Sequence, residues 1–325
     1  MFAKLKAPKS ETKITKHWKH TDKIYASIVC TTFNQENYIR DAVESFLAQE
    51  VEYKFEIIIH DDASTDSTSK IVKEYSEQYP TIIRTILKKE NQYSIYPSKP
   101  FHNCVQEAKG IYIAICEGDD FWIDSKKLQK QISILENNPI VSLVHSNCYD
   151  LEQDTYSVCE SLVPKKLVNF ENLMLENKIR TMTTLFRRSD AIEHFASSID
   201  ALKAISLGDW PLWIFLAKKG SISRIDDYTS VYRVLPVSAS HFTDRKHYYK
   251  FANETLLIRH HMLKQFELNT KALENLGVAF VKKDIYPFNY DDKELSNYAP
   301  VQYKLVHFIS RFIPIYKVIN IMRRK

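Results

Sequence analysis

Apolar residues along the chain fall into short continuous runs, separated by stretches in which they recur every three or four positions. "ASIVCTTF", residues 26–33, is a β-branched run that predicts a buried strand. In "NQENYIRDAVESFLAQ", residues 34–49, Ile39, Val43, Phe46 and Leu47 fall at helical spacing. "FEIIIHDD", residues 55–62, predicts a second buried strand, and Ser64 is a suitable N-cap for a helix from Thr65 to Tyr79, stopped by Pro80. "TIIRTILKK" (81–89) predicts a third strand. A loop and a short helix lead to a fourth at 111–116. A helix over 125–137, closed by Pro139, precedes another strand at 140–151.

Strands this apolar, alternating with helices, predict an α/β chain with a parallel sheet covered by helices on both faces. The second half is less regular. Residues 183–195 predict a strand running into a helix, 206–220 a helix with an acidic start, 221–235 strands, and 241 onward helix to the end. In open sheets of this kind ligands bind at the carboxyl ends of the strands. That places Thr31 to Asn34, Asp61 with Asp62, and Glu117 to Asp120 side by side.

Length and composition narrow the class. The 325 residues suffice for one large or two modest domains, and 44% hydrophobic content with 12% aromatic content supplies a core. No apolar run is long enough to span a bilayer, and residues 1–23 lack the apolar stretch of a signal peptide. The cysteines Cys30, Cys104, Cys116, Cys148 and Cys159 are odd in number and not closely paired, so they read as buried free thiols of a cytoplasmic protein. The net charge of +5 is unevenly spread: residues 1–23 hold seven lysines against two acids, and residues 301–325 hold six Lys or Arg and no acid. The body between them is therefore acidic. Basic ends suit either contact with an anionic surface or simple solubility.

The acids carry the candidate chemistry. A lone Asp-Asp at a strand end is commonly a turn. Here two such pairs, Asp61–Asp62 and Asp119–Asp120, close strands of one sheet. Crowded carboxylates repel, and a divalent cation relieves the repulsion; all-oxygen ligands suit Mg²⁺ or Mn²⁺. Only five glycines are present, which excludes a dinucleotide-binding fingerprint and a P-loop. Gly118, inside "EGDD", allows either a special backbone conformation or a close approach.

"SIVCTTFNQENYIRDAVESFLAQ", "FEIIIHDDASTDST" and "GIYIAICEGDDFW", in this order and in strand contexts, resemble glycosyltransferase family 2, the inverting nucleotide-sugar transferases of GT-A fold. Surface-polysaccharide and capsule transferases of bacteria are the most similar group. The resemblance implies a mostly parallel nucleotide-binding sheet over 24–240, preceded by a basic tail at 1–23 and followed by a helical region at 241–325 with a basic amphipathic end. It implies that Thr31, Phe33, Asp62 and Asp119 bind the nucleotide part of a donor. Asp62 would accept from the uracil imide N–H, and Asp119 would contact ribose or sugar. Asp120 would hold the metal, Mn²⁺ or Mg²⁺. Asp209, in "LGDWPLW", is then the candidate general base, with a plain helix N-cap as the alternative. Glu117, Trp122, Trp210 and His241 are further candidate contacts to donor or acceptor. Leu235 stands where the family often has a histidine, and His241 lies six residues on.

The activity implied is metal-dependent transfer of a sugar, with inversion, from a nucleotide sugar to a hydroxyl. The expected donor is a UDP-sugar, with a dTDP-sugar as second choice. A glycan or lipid-linked acceptor is expected, and nucleic acid is not a partner. The processive family members' Q-x-x-R-W motif and membrane spans are absent, so one sugar or a few would be added. Rival readings are a nucleotidyltransferase, which normally has a Gly-rich basic loop after the first strand, and a non-catalytic sugar- or nucleotide-binding relative. The expected location is cytoplasmic, with the C-terminal stripe of Lys304, His307, Arg311 and Lys317 binding the inner membrane surface, packing on the domain or joining a second subunit.

Overall fold

The computed structural model describes residues 2–152, 157–160, 168–203, 205–235, 254–255, 257–259 and 261–267. The first half runs α1 (Glu11–Thr15), β1 (Ala26–Thr32), α2 (Ile39–Leu47), β2 (Phe55–Asp61), α3 (Thr68–Gln78), β3 (Ile83–Leu87), α4 (Lys99–Glu107), β4 (Tyr112–Ile115), β5 (Phe121–Trp122) and α5 (Lys127–Asn137). The second runs β6 (Val141–Glu152), β7 (Val158–Glu160), α6 (Phe170–Leu175), a 3₁₀ turn (Thr181–Thr183), β8 (Leu185–Arg187), α7 (Arg188–Leu202), α8 (Asp209–Lys219) and β9 (Ser221–Val234).

Among the described residues the strands form one sheet in the order β3-β2-β1-β4-β8-β6-β9-β5, with β7 alongside β6. β3, β2, β1 and β4 are parallel, as the apolar runs predict. Beyond them the direction changes, in keeping with a mostly parallel sheet: β8 runs antiparallel to β4 and β6, and β5 antiparallel to β9. β8 and β5 are too short to carry a parallel crossover signal, so the alternation of strand and helix could not reveal their direction.

Both faces of the central strands are covered, and the period of two sorts them. Ile28, Cys30, Ile57 and Ile59 pack with α2, α3 and α5, whereas Val29, Ile58, Ile113 and Ile115 pack with α4, α7 and α8. Ile57, Ile58 and Ile59 are all fully buried, which is why β2 reads as a run and not an alternation. Cys30, Cys104, Cys116 and Cys148 are buried and outside any disulfide; Cys159 departs from the expectation and is exposed on β7.

Two local expectations are corrected. α3 begins at Thr68 after Ser67, and Ser64 caps no helix; its hydroxyl donates instead to Asp61 at 2.5 Å. The basic segment expected as a tail is folded onto the domain: Ile14 is buried, Tyr79 donates its hydroxyl to the Pro8 carbonyl at 2.6 Å, and Trp18 packs edge-on against Phe55. Ile14 and Trp18 are apolar anchors among lysines, and the lysine count masked them. Of the region beyond 241, residues 254–255, 257–259 and 261–265 are helical. His241 and residues 301–325 lie outside the described residues. Among the described residues no helix is long and apolar enough to cross a membrane.

Candidate functional site

The parallel register brings three loops together. β1 sets Thr32 opposite Asp61 of β2, and Val29 opposite Ile115 of β4. Past the strand ends the backbone keeps pairing: the Asp62 N–H donates to the Thr32 carbonyl at 2.9 Å, and the Gly118 N–H to the Thr31 carbonyl at 3.0 Å. Thr31, Asp62 and the Glu117–Asp120 loop are thus neighbours. Gly118 serves close approach, not unusual dihedrals. A Cβ there would lie 2.5 Å from Gln35 Oε1 and 2.8 Å from Thr32 Oγ1. Phe33 is 45% exposed at the mouth of this corner, where Tyr93, 47% exposed, follows on a loop held by Asp62.

Asp61 and Asp62 have different tasks. Asp61 is buried and takes the hydroxyls of Ser64 and Ser69. Asp62 accepts the backbone N–H of Gln92 at 2.7 Å and of Tyr93 at 2.9 Å, one on each oxygen. The sequence does not show this anchoring of the 91–93 loop, because the partners are backbone groups thirty residues away. A carboxylate retains acceptor capacity beyond two such bonds.

The acid loop is the electrostatic centre. Glu117 and Asp119 are half-buried, and Asp120 is buried. Burial first, and then the neighbouring Asp119, push Glu117 up to about 8, with Asp209 adding to the shift. Burial, followed by Asp119 and Glu117, holds Asp120 well above the usual carboxylate range. Asp119 is raised by burial, against the pull of Arg233 and Gln35. Arg233 braces the loop: its N–H donates to Asp120 Oδ1 at 2.8 Å and its guanidinium donates to the Asp119 carbonyl.

Asp209 is the first residue of α8, not its N-cap, which is Gly208. Asn177 Nδ2 donates to Asp209 Oδ2 at 2.9 Å, with the Thr181 hydroxyl at 3.5 Å. Burial raises its pKa, opposed mainly by the Asn177 bond. The 177–183 segment also reaches the acid loop's far end, where the Met182 carbonyl accepts Trp122 Nε1–H at 2.9 Å. This segment therefore ties Asp209 to the acid loop. Asn177, Thr181 and Arg233 escaped the sequence reading.

Two expected contacts are corrected. Trp122 is fully buried, with Lys127 Nζ 4.1 Å from its ring centroid and Phe46 edge-on at 4.9 Å. Trp210 is 3% exposed, donates Nε1–H to the Leu173 carbonyl at 2.7 Å and lies under Arg259. Both indoles belong to the core and present no face to a sugar.

The acids also bear on a metal. Among the described residues no group of three or more His, Cys, Asp or Glu side chains is arranged to hold one. The all-oxygen donor set and the mutual repulsion within Glu117–Asp120 nevertheless fit a hard divalent ion. Such an ion needs only one or two carboxylates when phosphates and water complete its shell.

The sequence profile of glycosyl transferase family 2 matches residues 27–202, more than half of the chain. The protein belongs to this family. An uncharacterized protein of Mycobacterium tuberculosis is 32% identical over 228 residues, spanning 69% of this chain and 63% of its own length. The UDP-Glc:alpha-D-GlcNAc-diphosphoundecaprenol beta-1,3-glucosyltransferase WfgD of Escherichia coli is 26% identical over 205 residues, 63% of this chain and 74% of that protein. Among solved structures, S. aureus TarS 1-349 in complex with UDP-GlcNAc superposes with a TM-score of 0.55 at 15% identity, covering 88% of this chain and 90% of that one. Mannosyltransferase PcManGT from Pyrobaculum calidifontis, with GDP-Man and Mn2+, gives 0.53 at 13% identity over 95% and 89%. The expected GT-A architecture, with its helix-flanked and mostly parallel sheet, is the fold observed.

Proposed function

We propose that the protein is an inverting, non-processive transferase that moves a sugar from a UDP-sugar to a hydroxyl of a glycan or lipid-linked acceptor in surface-polysaccharide synthesis. The observation that carries this reading is the 177–183 segment, which sets Asp209 across from the acid loop at the carboxyl ends of β1, β2 and β4. Thr31, Phe33 and Asp62 line the corner where a uracil base would lie, and a dTDP donor is the second choice there. Asp119 would contact the ribose or the donor sugar. Asp120 would hold Mn²⁺ or Mg²⁺, whose charge stabilises a departing diphosphate. The lipid-diphosphate acceptor in WfgD's name, and the divalent ion in the PcManGT complex, support this assignment.

In the reaction Asp209 accepts the proton of the acceptor hydroxyl as that oxygen attacks the anomeric carbon. The new carbon–oxygen bond forms as the bond to phosphate breaks, the nucleoside diphosphate leaves with the electron pair, and configuration inverts. Burial makes Asp209 a stronger base than an exposed aspartate. Asn177 and Thr181 fix its direction, so positioning supplies much of the rate.

The test is incubation with a panel of nucleotide sugars and Mn²⁺ or Mg²⁺. Release of UDP from a UDP-sugar, its loss in EDTA and its return with added metal are the expected results, and Asp120→Ala should fold but not turn over. Full activity in EDTA removes the metal from the proposal. Pyrophosphate release from a nucleoside triphosphate and a sugar phosphate replaces it with a nucleotidyltransferase.

A further inference from the structure

The matched family region begins at residue 27, so the segment before it falls outside the shared framework. That segment runs along α2. Lys4 Nζ pairs with Asp41 at 2.7 Å and Lys6 Nζ with Glu44 at 2.8 Å. Further along, the Tyr79 hydroxyl holds Pro8, and Glu11 accepts the Thr81 N–H at 2.7 Å. At its outer end Phe2 sits edge-on to Phe121 at 5.8 Å and stacked on Tyr149 at 5.7 Å. Phe121 directly follows Asp120.

Asp41 is shared. Its Oδ2 takes Lys4 from the arm and the Arg233 guanidinium from β9. Arg233 is 3% exposed, lies over the rings of Phe121 and Tyr38, and makes the two contacts that hold Asp119 and Asp120. A buried guanidinium keeps its place only while its charge is matched and water is kept away. The arm contributes to both, through Lys4 on Asp41 and through Phe2 over the Phe121 ring. The geometry points to a contact chain, arm to Asp41 to Arg233 to acid loop, in which residues 2–5 position Asp119 and Asp120 for a metal-bound nucleoside diphosphate.

This inference rests on the proposed role of the acid loop as a donor site, so its test has two independent readings. The first is hydrogen exchange over residues 117–122 and at the Arg233 N–H, comparing the full chain with one lacking residues 2–5. Faster exchange at these positions, with β1 and β2 unchanged, is the expected result; equal protection overturns the positioning role whatever the loop binds. The second is calorimetric titration with UDP and Mn²⁺. Removing residues 2–5 should weaken binding about tenfold, the lower end for outer partners of a metal site, at nearly unchanged melting temperature. Lys4→Glu should do the same and Lys4→Arg should restore binding. Unchanged affinity in the shortened chain and in Lys4→Glu overturns the inference. If the full chain itself fails to bind UDP with Mn²⁺, the donor-site reading falls, and the exchange data alone decide whether the arm holds the loop.

Discussion

Asp209 takes the Asn177 amide and lies near the Thr181 hydroxyl, while Gly208 fills the capping position of α8. Asp209→Asn keeps the size and an acceptor oxygen but cannot receive a proton. A lost general base costs about 10²–10⁴ in rate, so kcat should fall by that order with the melting temperature nearly unchanged. Near-normal kcat would take Asp209 out of the mechanism. Ala63 offers a second test at this scale. It sits between the paired acids and Ser64 with φ of 64°, a left-handed conformation that a Cβ disfavours. Ala63→Gly relieves roughly 1–2 kcal/mol of that cost and gives back about 0.5–1 kcal/mol in chain entropy. A small gain in melting temperature, roughly 1–3 °C, is expected by calorimetry.

Among the elements, α7 and α8 enclose His194, which is 1% exposed and ringed by Phe195 and Phe215. Neither ring nitrogen has a hydrogen-bond partner among the described residues. Burial, with the His261 charge adding, pushes its pKa down to about 3. The unfolded chain takes up this proton near pH 6.5 and the folded chain does not, so the contribution to stability is complete above 6.5 and is lost as pH falls towards 3. His145, lowered to about 4 by burial and Arg224, acts in the same direction. Urea unfolding between pH 6 and pH 4.5 should therefore show stability falling with acid. His194→Leu should flatten the slope by about 1.4 kcal/mol per pH unit, and an unchanged slope would mean that the ring is already charged in the fold. The sequence foretold a strand passing into a helix over residues 183–195. It gave no sign that His194 turns inward.

The whole molecule places basic ends on an acidic body. Part of the N-terminal charge is already matched within the fold, by Asp41, Glu44 and Glu52. Residues 301–325 hold six Lys and Arg and no acid. If they meet an anionic lipid surface, the full chain should co-sediment with anionic vesicles at low salt and be released as the Debye length shrinks from about 30 Å to 8 Å. A chain ending at Ala299 should bind less. Equal binding by the two would leave packing on the domain, or a second subunit, as the role of this end.

The sequence alone determined the framework. Runs such as "FEIIIHDD" are buried on both faces, so their hydrophobicity is local information, and the acids at their ends mark where a parallel sheet opens. The same runs and their order carried the likeness to the family. Only the tertiary structure decided what surrounds those acids. Asp62 is anchored by backbone N–H groups of residues 92–93, Asp209 by Asn177, and Asp120 by Arg233, a residue 113 positions later. It also turned Trp122 and Trp210 inward and laid the lysine-rich arm along α2. Hydrogen bonds and ion pairs across such separations leave no period in the chain. Their partners are chosen by the register of the sheet and by the burial of the groups between them, which no window of sequence contains.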